Sequence, residues 1–168
     1  MVEYIHPDMF GRAQSDINRF DGEYSFLSNF HPSPLTYEGI NYPTVEHAFQ
    51  AAKTLDKTER LRISKLPTPG QAKRAGQKVD LQDNWNSLRL KVMEELIYLK
   101  FQTNGELLTM LDATKERKLV EGNAWKDVYW GVYRGKGQNH LGKILMIVRK
   151  ELCNPGYVKW PQMLKPVK

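Results

Sequence analysis

The spacing of apolar residues along the chain predicts a protein built mainly of helices. The strongest pattern follows Asp83 and Asn84, where apolar side chains recur at helical spacing on two faces of one long segment. One face carries Trp85, Leu88, Val92, Leu96 and Leu99, and the other carries Leu90, Met93, Ile97 and Phe101. A helix that is apolar on two sides has neighbours on both, so we expect it at the centre of the fold. Trp85 lies in its first turn, where packing in the core is the default expectation.

A second strong pattern predicts a helix near the C-terminal end. Its apolar stripe consists of Leu141, Ile144, Leu145, Val148 and Leu152. Asn139 is predicted to cap this helix, and residues 154–156 are predicted to end it. Shorter helices are predicted over residues 45–53, 57–66, 69–77 and 106–112. Of these, the helix after Thr68 has a typical start, with Pro at its first position and Gln71 three residues after the threonine.

Several segments have patterns typical of extended chain. Residues 35–42 resemble a hairpin that turns at Glu38-Gly39. The aromatic residues within 20–30 suit a half-buried extended segment, and residues 119–121 are a short strand or extended piece. Residues 123–133 are aromatic and partly alternating, which predicts a strand-like segment with Asp127 embedded in it. An unpaired charge beside apolar surface is costly, so Asp127 is expected to form a turn, to pair with a cation or to face a site.

The helix predicted after Thr44 presents one carboxylate in its first turn. Thr44 is a good N-cap, and its apolar stripe leaves Glu46, Gln50 and Lys53 together on another face. A carboxylate at this position is favoured by the helix dipole. Glu46 is therefore either a surface residue placed for helix stability or a functional group, and this segment alone favours neither.

Glycine and lysine precede the last helix in a pattern that suits anion binding. Gly135, Lys136 and Gly137 lead through Gln138 to Asn139, where backbone amides and the helix dipole would favour a phosphate. The pattern is neither a Walker motif nor a dinucleotide-binding fingerprint, so it is a weak signal by itself.

Composition narrows the choice of partners. The chain has 168 residues, the size of one domain, and a net charge of +6, which favours an anionic partner such as a nucleotide, a phosphorylated metabolite or nucleic acid. Its basic residues are scattered, however, and most are expected on solvated helix faces. The four histidines lack metal-ligand spacing, so no metal site is predicted. One cysteine, Cys153, excludes an internal disulfide and favours a reducing, cytoplasmic location; no membrane span or secretory signal is predicted.

An ordered set of motifs resembles the NADAR (YbiA-like) family. The resemblance covers roughly residues 20–152, between a lead-in over 1–19 and a tail over 153–168. It rests on Phe26-Leu27-Ser28-Asn29-Phe30, Tyr42-Pro43-Thr44-Val45-Glu46-His47-Ala48-Phe49-Gln50-Ala51-Ala52-Lys53, Trp85, Leu119-Val120-Glu121, Asp127-Val128-Tyr129-Trp130-Gly131 and Gly135-Lys136-Gly137-Gln138-Asn139-His140-Leu141-Gly142. The chain departs from the family pattern at Tyr42, where some members have Trp, and at residues 132–134, where the bacterial enzyme type is glycine-rich.

This resemblance implies a single-domain, predominantly helical α+β fold with a small sheet, and cleavage of N-glycosidic bonds without metal or redox cofactor. It implies two substrate types, phosphoribosylamino-pyrimidine intermediates of riboflavin biosynthesis and ADP-ribose attached to guanine in a nucleotide or in DNA. The catalytic residues carried over from the family motifs are Glu46, Trp85 and Asp127. The substrate-binding residues carried over are Asn29, Lys53, Trp130, Gly135, Lys136, Gly137 and Asn139.

The chemistry of the reaction suggests a part for each group. Glu46 is expected to act as general base or to stabilise a cationic sugar, and Asp127 to be its partner or to anchor a ribose hydroxyl. Trp85 is expected to stack on the base, and Lys53 with the loop at 135–139 to hold phosphates. Two other functions use the same features: a non-catalytic module that binds ADP-ribose or a related nucleotide, and a nucleic-acid-binding protein.

Overall fold

The structure is a computed structural model that describes residues 15–154 and 156. Most of the predicted lead-in, residues 1–14, lies outside the described residues, as do residues 155 and 157–168 of the predicted tail. Helices dominate the described chain and its strands form one two-stranded sheet, which confirms the predicted α+β class. Within this described part, no helix is both long enough and apolar enough to cross a bilayer.

The helices begin and end close to the predicted positions. They are α1 (Val45–Ala51), α2 (Lys57–Ser64), α3 (Pro69–Gly76), α4 (Trp85–Gln102), α5 (Gly105–Ala113) and α6 (His140–Cys153). The predicted caps at Thr44 and Thr68 are confirmed, because their hydroxyls accept hydrogen bonds from the backbone amides of His47 and Gln71. Helix α1 ends before Lys53, which lies in the turn that follows.

Helix α4 lies at the centre of the helical packing, as its two apolar stripes predict. It contacts α1, α5, α6 and strand β1 (Leu35–Tyr37). Met93 and Phe101 are buried on it, and Trp85 is buried at its start, which confirms core packing for that side chain. Leu90 is 37% exposed, so the second stripe is open at its N-terminal end.

The predicted hairpin is confirmed in position and in turn. Strand β1 pairs antiparallel with β2 (Ile40–Tyr42), and Leu35 lies opposite Tyr42. The two turn residues, Glu38 and Gly39, have positive φ angles of 47° and 79°. Two-residue turns of this hand match the right-handed twist of paired strands, so the turn sets the hairpin register.

Helix α1 is buried on all sides, although its apolar stripe predicts one buried face. It packs against α2, α3 and α4, and all of its residues are buried, including Glu46 and Gln50. The His47 ring has two local partners, because Nδ1 lies 2.8 Å from Thr44 Oγ1 and Nε2 lies 3.0 Å from Leu66 O. The alternative in which Glu46 is a surface residue is therefore wrong.

Two segments that were predicted to be extended adopt other structures. The 3₁₀ helix Gly22–Leu27 occupies the middle of residues 20–30. Residues 123–133 contain a turn, in which Asp127 Oδ1 accepts hydrogen bonds from the backbone amides of Tyr129 and Trp130 at 3.0 and 2.8 Å. A short polar side chain that binds its neighbouring amides competes with strand pairing, so Asp127 is a turn former.

Candidate active site

A cavity of about 610 Å³ brings together residues from most of the length of the described chain. Its wall is formed by side chains of α1, α3 and α4, by the loop around the 3₁₀ helix and by the segment 121–130. Small-molecule sites in proteins commonly measure about 300–1,000 Å³. The predicted site residues that line the cavity are Asn29, Glu46, Lys53, Asp127 and Trp130.

Glu46 is held firmly at this wall. Glu46 is only 6% exposed, and its backbone amide donates a 3.0 Å hydrogen bond to Asn29 O. Burial raises the pKa of Glu46, while the hydrogen bond from Gln50 and the charges of Lys73 and Lys53 oppose that rise. The carboxylate is thus desolvated and still supported by three favourable neighbours.

Gln50 connects Glu46 to helix α3. Its Nε2 donates a 2.8 Å hydrogen bond to Glu46 Oε1. A Cβ atom on Gly76 would overlap the Gln50 side chain, so glycine at the end of α3 provides the space that Gln50 needs. Lys53 Nζ donates a 3.4 Å hydrogen bond to the carbonyl of the same glycine. The approach of α3 to α1 therefore fixes both the amide and the lysine beside Glu46.

Asp127 reaches the cavity from a rigid turn. Asn123 Oδ1 accepts a 3.0 Å hydrogen bond from the Asp127 amide, and Asn123 Nδ2 donates a 2.8 Å hydrogen bond to the Asp127 carbonyl. Together with the amides of Tyr129 and Trp130, which bind Asp127 Oδ1, these contacts close the turn on itself. The carboxylate is thereby oriented before any ligand binds.

Glu121 is a third carboxylate in the cavity wall, and it was not assigned to the site from the sequence. Its Oε2 is buried and has no hydrogen-bond partner among the described residues. Burial, followed by the charges of Asp127 and Glu46, raises the pKa of Glu121 to about 7, with a smaller opposing effect of Lys73. An acid two residues after the buried Leu119, in the motif Leu119-Val120-Glu121, was the available signal.

Three basic side chains line the same cavity. Lys53 is half-buried, and burial lowers its pKa while Glu46 opposes that change. Lys73, on α3, and Arg19, before the 3₁₀ helix, are the other two, and neither was assigned to the site from the sequence. Cations and carboxylates in one cavity suit a ligand that carries both a sugar and a phosphate.

Aromatic side chains form much of the remaining wall. Phe49 and Trp130 meet edge to face with ring centroids 5.4 Å apart, and Phe30 and Trp125 also line the cavity. Trp85 is 7% exposed and lies outside this wall in the described structure, with its ring 5.3 Å from that of Phe49. Trp85 thus supports the wall from behind, and its expected stacking on a base remains a prediction.

The glycine-lysine loop does not line the cavity in the described structure. It closes as a turn of its own, because the backbone groups of Tyr133 and Lys136 bind each other at 2.9 and 3.0 Å, with Gly135 and Gly137 at positive φ on either side of Lys136. Phosphate binding by this loop remains a prediction without support from the cavity geometry.

The side chain of Asn139 has a structural role that differs from the predicted helix cap. Asn139 occupies the predicted N-cap position of α6, but its side chain makes no capping hydrogen bond. Asn139 Oδ1 instead accepts from the Glu121 amide at 3.0 Å, and Nδ2 donates to Leu119 O at 2.9 Å. Buried backbone groups need partners, and the extended chain at Leu119 obtains them from this side chain. Asn139 therefore fixes the backbone that carries Glu121.

Comparison with known proteins shows the family of this chain. The family model described as the NADAR domain matches residues 17–153. The chain belongs to the NADAR family. A chain of the same family, the N-glycosidase YbiA of Escherichia coli K12, is 40% identical over 134 residues, which cover 78% of this chain and 83% of YbiA. The NMR structure of E. coli YbiA superposes with a TM-score of 0.72 at 38% identity, covering 83% of this chain and 86% of that one.

Other NADAR relatives carry two kinds of name. An N-glycosidase of Nostoc punctiforme is 34% identical over 137 residues, covering 78% of this chain and 87% of the relative. A riboflavin biosynthesis protein of Vibrio vulnificus is 35% identical over 135 residues, covering 79% of this chain but 36% of that longer protein. The resemblance found in the sequence motifs is thereby confirmed at the level of the family.

Proposed function

We propose that this NADAR-family protein is an N-glycosidase, a hydrolase that cleaves the ribosyl C–N bond of a nucleotide-like substrate. The observation that carries the proposal is the convergence of Glu46, Glu121 and Asp127 on one cavity that Lys53 and Lys73 also line. Cleavage of this bond builds positive charge at the anomeric carbon and electron density on the departing base. Carboxylates stabilise the positive charge at the anomeric carbon, and a proton donor assists the departure of the base. Relatives named as N-glycosidases support the same reaction.

Each carboxylate takes a separate part in the proposed reaction. Glu46, whose pKa is raised by burial against the opposing effects of Gln50 and the two lysines, stabilises the cationic sugar and accepts a proton from the attacking water. Glu121, with its pKa raised to about 7 by burial, donates a proton to the leaving base. Asp127, fixed by two backbone amides, anchors a ribose hydroxyl. The oxygen of one water thus bonds to the anomeric carbon as the C–N bond breaks, and the base leaves with a proton.

The substrate in this proposal carries ribose phosphate or ADP-ribose. Lys53, Lys73 and Arg19 supply positive charge at the cavity, and the net charge of +6 favours a large anion such as ADP-ribosylated guanine in a nucleotide or in DNA. Arg134 adds nothing to this preference, because it lies over the ring of Tyr133 and outside the cavity wall. The Vibrio relative is named as a riboflavin biosynthesis protein, which supports the other substrate type, a phosphoribosylamino-pyrimidine intermediate.

The test is to incubate the protein separately with an oligonucleotide that carries ADP-ribosylated guanine and with a phosphoribosylamino-pyrimidine. Products are separated by chromatography and identified by mass. Release of ADP-ribose from the oligonucleotide is expected. Release of ribose 5-phosphate from the phosphoribosylamino-pyrimidine alone would support the N-glycosidase activity but refute the preferred substrate. Glu46→Gln is the matched control, since it removes the ionisable group and keeps the shape.

The same experiment separates the two rival functions. Binding of either compound without release of any product identifies a non-catalytic nucleotide-binding module. DNA affinity that falls steeply with salt and ignores ADP-ribosylation identifies a nucleic-acid binder. We also propose a cytoplasmic location, where the thiol of the single cysteine, Cys153, stays reduced.

A further inference from the structure

Two large aromatic side chains are exposed to solvent at the cavity. Trp125 is 62% exposed and Phe30 is 42% exposed, and both line the cavity wall. Their exposure contrasts with that of Trp85 and Phe49, which are 7% and 5% exposed. Deep side chains of this kind stabilise the fold, whereas exposed aromatic rings beside a polar cavity leave free faces on which a planar ligand can stack.

Trp125 is held in place by the turn that presents Asp127. The side chain of Asn123 bonds both the amide and the carbonyl of Asp127, so the intervening residues form a closed loop. Lys126, between Trp125 and Asp127, has a φ of 65°, a left-handed backbone conformation that the turn requires. Trp125 and the cavity carboxylate of Asp127 therefore belong to one hydrogen-bonded turn.

Phe30 is likewise tied to the cavity. Its backbone amide donates a 3.1 Å hydrogen bond to Ser28 Oγ, and the carbonyl of Ser28 accepts a 2.8 Å hydrogen bond from the buried Lys100 Nζ. The carbonyl of the neighbouring Asn29 accepts from the Glu46 amide. The loop is therefore anchored at Ser28 and Asn29, the two residues before Phe30.

We propose that Trp125 and Phe30 form the binding site for the planar base of the substrate, at the solvent-facing part of the cavity. The inference rests on the proposed N-glycosidase function and names the group that the enzyme selects, a heteroaromatic base recognised through its face. The ribose then extends from the base toward Glu46 and Asp127, and the base keeps an edge toward solvent. A base that belongs to a larger molecule is accommodated by the same arrangement.

The experiment compares a ligand with a base and one without it. Affinities of the wild type and of Trp125→Ala for guanosine 5′-monophosphate and for ribose 5-phosphate are measured by calorimetry, with chromatography to verify that the nucleotide stays intact. Loss of one stacked base contact is expected to weaken nucleotide binding by about 5- to 150-fold. The affinity for ribose 5-phosphate, which lacks a base, should fall by less than about twofold. Phe30→Ala should act in the same direction, and Trp125→Phe should restore most of the affinity.

Val128→Ala is the matched control, because Val128 is 47% exposed in the same segment and lies outside the cavity wall. Equal weakening of both ligands by Trp125→Ala would overturn the proposal, since it would show damage to the turn and not a lost stack. Unchanged affinity for both would also overturn it, and a dimer in the wild type that this variant dissociates would identify the patch as a self-association surface. If the wild type binds neither ligand, the proposed function itself fails.

Discussion

Gln50 Nε2 donates a 2.8 Å hydrogen bond to Glu46 Oε1 from one turn further along the same buried helix. The other end of the amide, Gln50 Oε1, is buried in the cavity wall without a hydrogen-bond partner among the described residues. A buried acceptor without a partner costs about 1–3 kcal/mol. This oxygen faces Gly76 at the end of α3, where an added Cβ would clash with it, so the Gln50 amide lies between α3 and the Glu46 carboxylate.

Replacement of Glu46 by glutamine should abolish turnover and leave the fold and ligand binding nearly intact. The amide has the shape of the carboxylate but cannot accept the proton of water or stabilise a cationic sugar, so kcat should fall by about 10²–10⁴-fold. The measurement is kcat together with the midpoint of thermal unfolding. A Glu46→Gln enzyme with wild-type kcat would rule out the proposed part of Glu46.

Glu121 should set the alkaline limit of activity. Its pKa of about 7 means that the proton-donating form is present below pH 7 and is lost as the pH rises through that value. Activity of the wild type should fall over the same range. Glu121→Gln should lower kcat by about 10²-fold or more and remove this pH dependence, because the amide cannot titrate or donate the proton.

Protein stability provides an independent check on Glu121. The folded state holds this proton up to about pH 7, whereas the unfolded chain loses it near pH 4.5. The folded state therefore binds more protons between these values, and the contribution of Glu121 to the free energy of unfolding falls as the pH rises. In urea titrations, the stability of Glu121→Gln relative to the wild type should rise from pH 5 to pH 8. Equal pH dependence in both proteins would contradict the raised pKa.

Gly76→Ala should disturb the site through Gln50. The added Cβ would overlap the Gln50 side chain, which must move away from Glu46. Overpacking of this kind costs typically about 1–3 kcal/mol of the free energy of unfolding, and kcat should fall as well. Gly70→Ala, in the same helix α3, is the control, because the nearest atom to its Cβ is 3.8 Å away. This control should keep its activity and change stability by less than about 1 kcal/mol.

Lys100 should make protein stability depend on pH in the sense opposite to that of Glu121. Burial lowers its pKa to about 7, from an ordinary value of 10.5, and its Nζ binds the carbonyl of Ser28. Between these values the unfolded chain binds more protons at this residue, so the contribution of Lys100 to the stability of the wild type rises with pH. Lys100→Met lacks this dependence, and its stability relative to the wild type should fall by roughly 1–3 kcal/mol from pH 7 to pH 9. Lys91→Met, exposed on the same helix, should show no such change.

Much of the fold was predictable because helix signals are local. The stripes of α4 and α6, the caps at Thr44 and Thr68 and the turn at 38–39 depend on residues within a turn of each other, and all are found in the structure. The segment 123–133 was misjudged because aromatic alternation resembles a strand. Hydrogen bonds from the Asn123 and Asp127 side chains decide in favour of a turn instead.

The candidate site was only partly predictable, because its members meet through packing. Lys73 joins it when α3 packs against α1, and Glu121 joins it through Asn139, which binds the backbone from the start of α6. Neither approach leaves a periodic signal in the sequence. The helical period after Asn84 predicts core packing for Trp85, whereas no period in the sequence marks Trp125 as part of the cavity wall.

The sequence by itself determined which helices form, that one hairpin exists, to which family the motifs point and that Glu46 lies in the first turn of a helix. Only the tertiary structure decided that this helix is buried on all sides, that Glu46 shares a cavity with Glu121 and Asp127, and that the glycine-lysine loop lies apart from that cavity. The physical reason is the range of the interactions. Hydrophobic period and capping act within a few residues, whereas burial and the pKa changes that follow from it depend on segments brought together from distant parts of the chain.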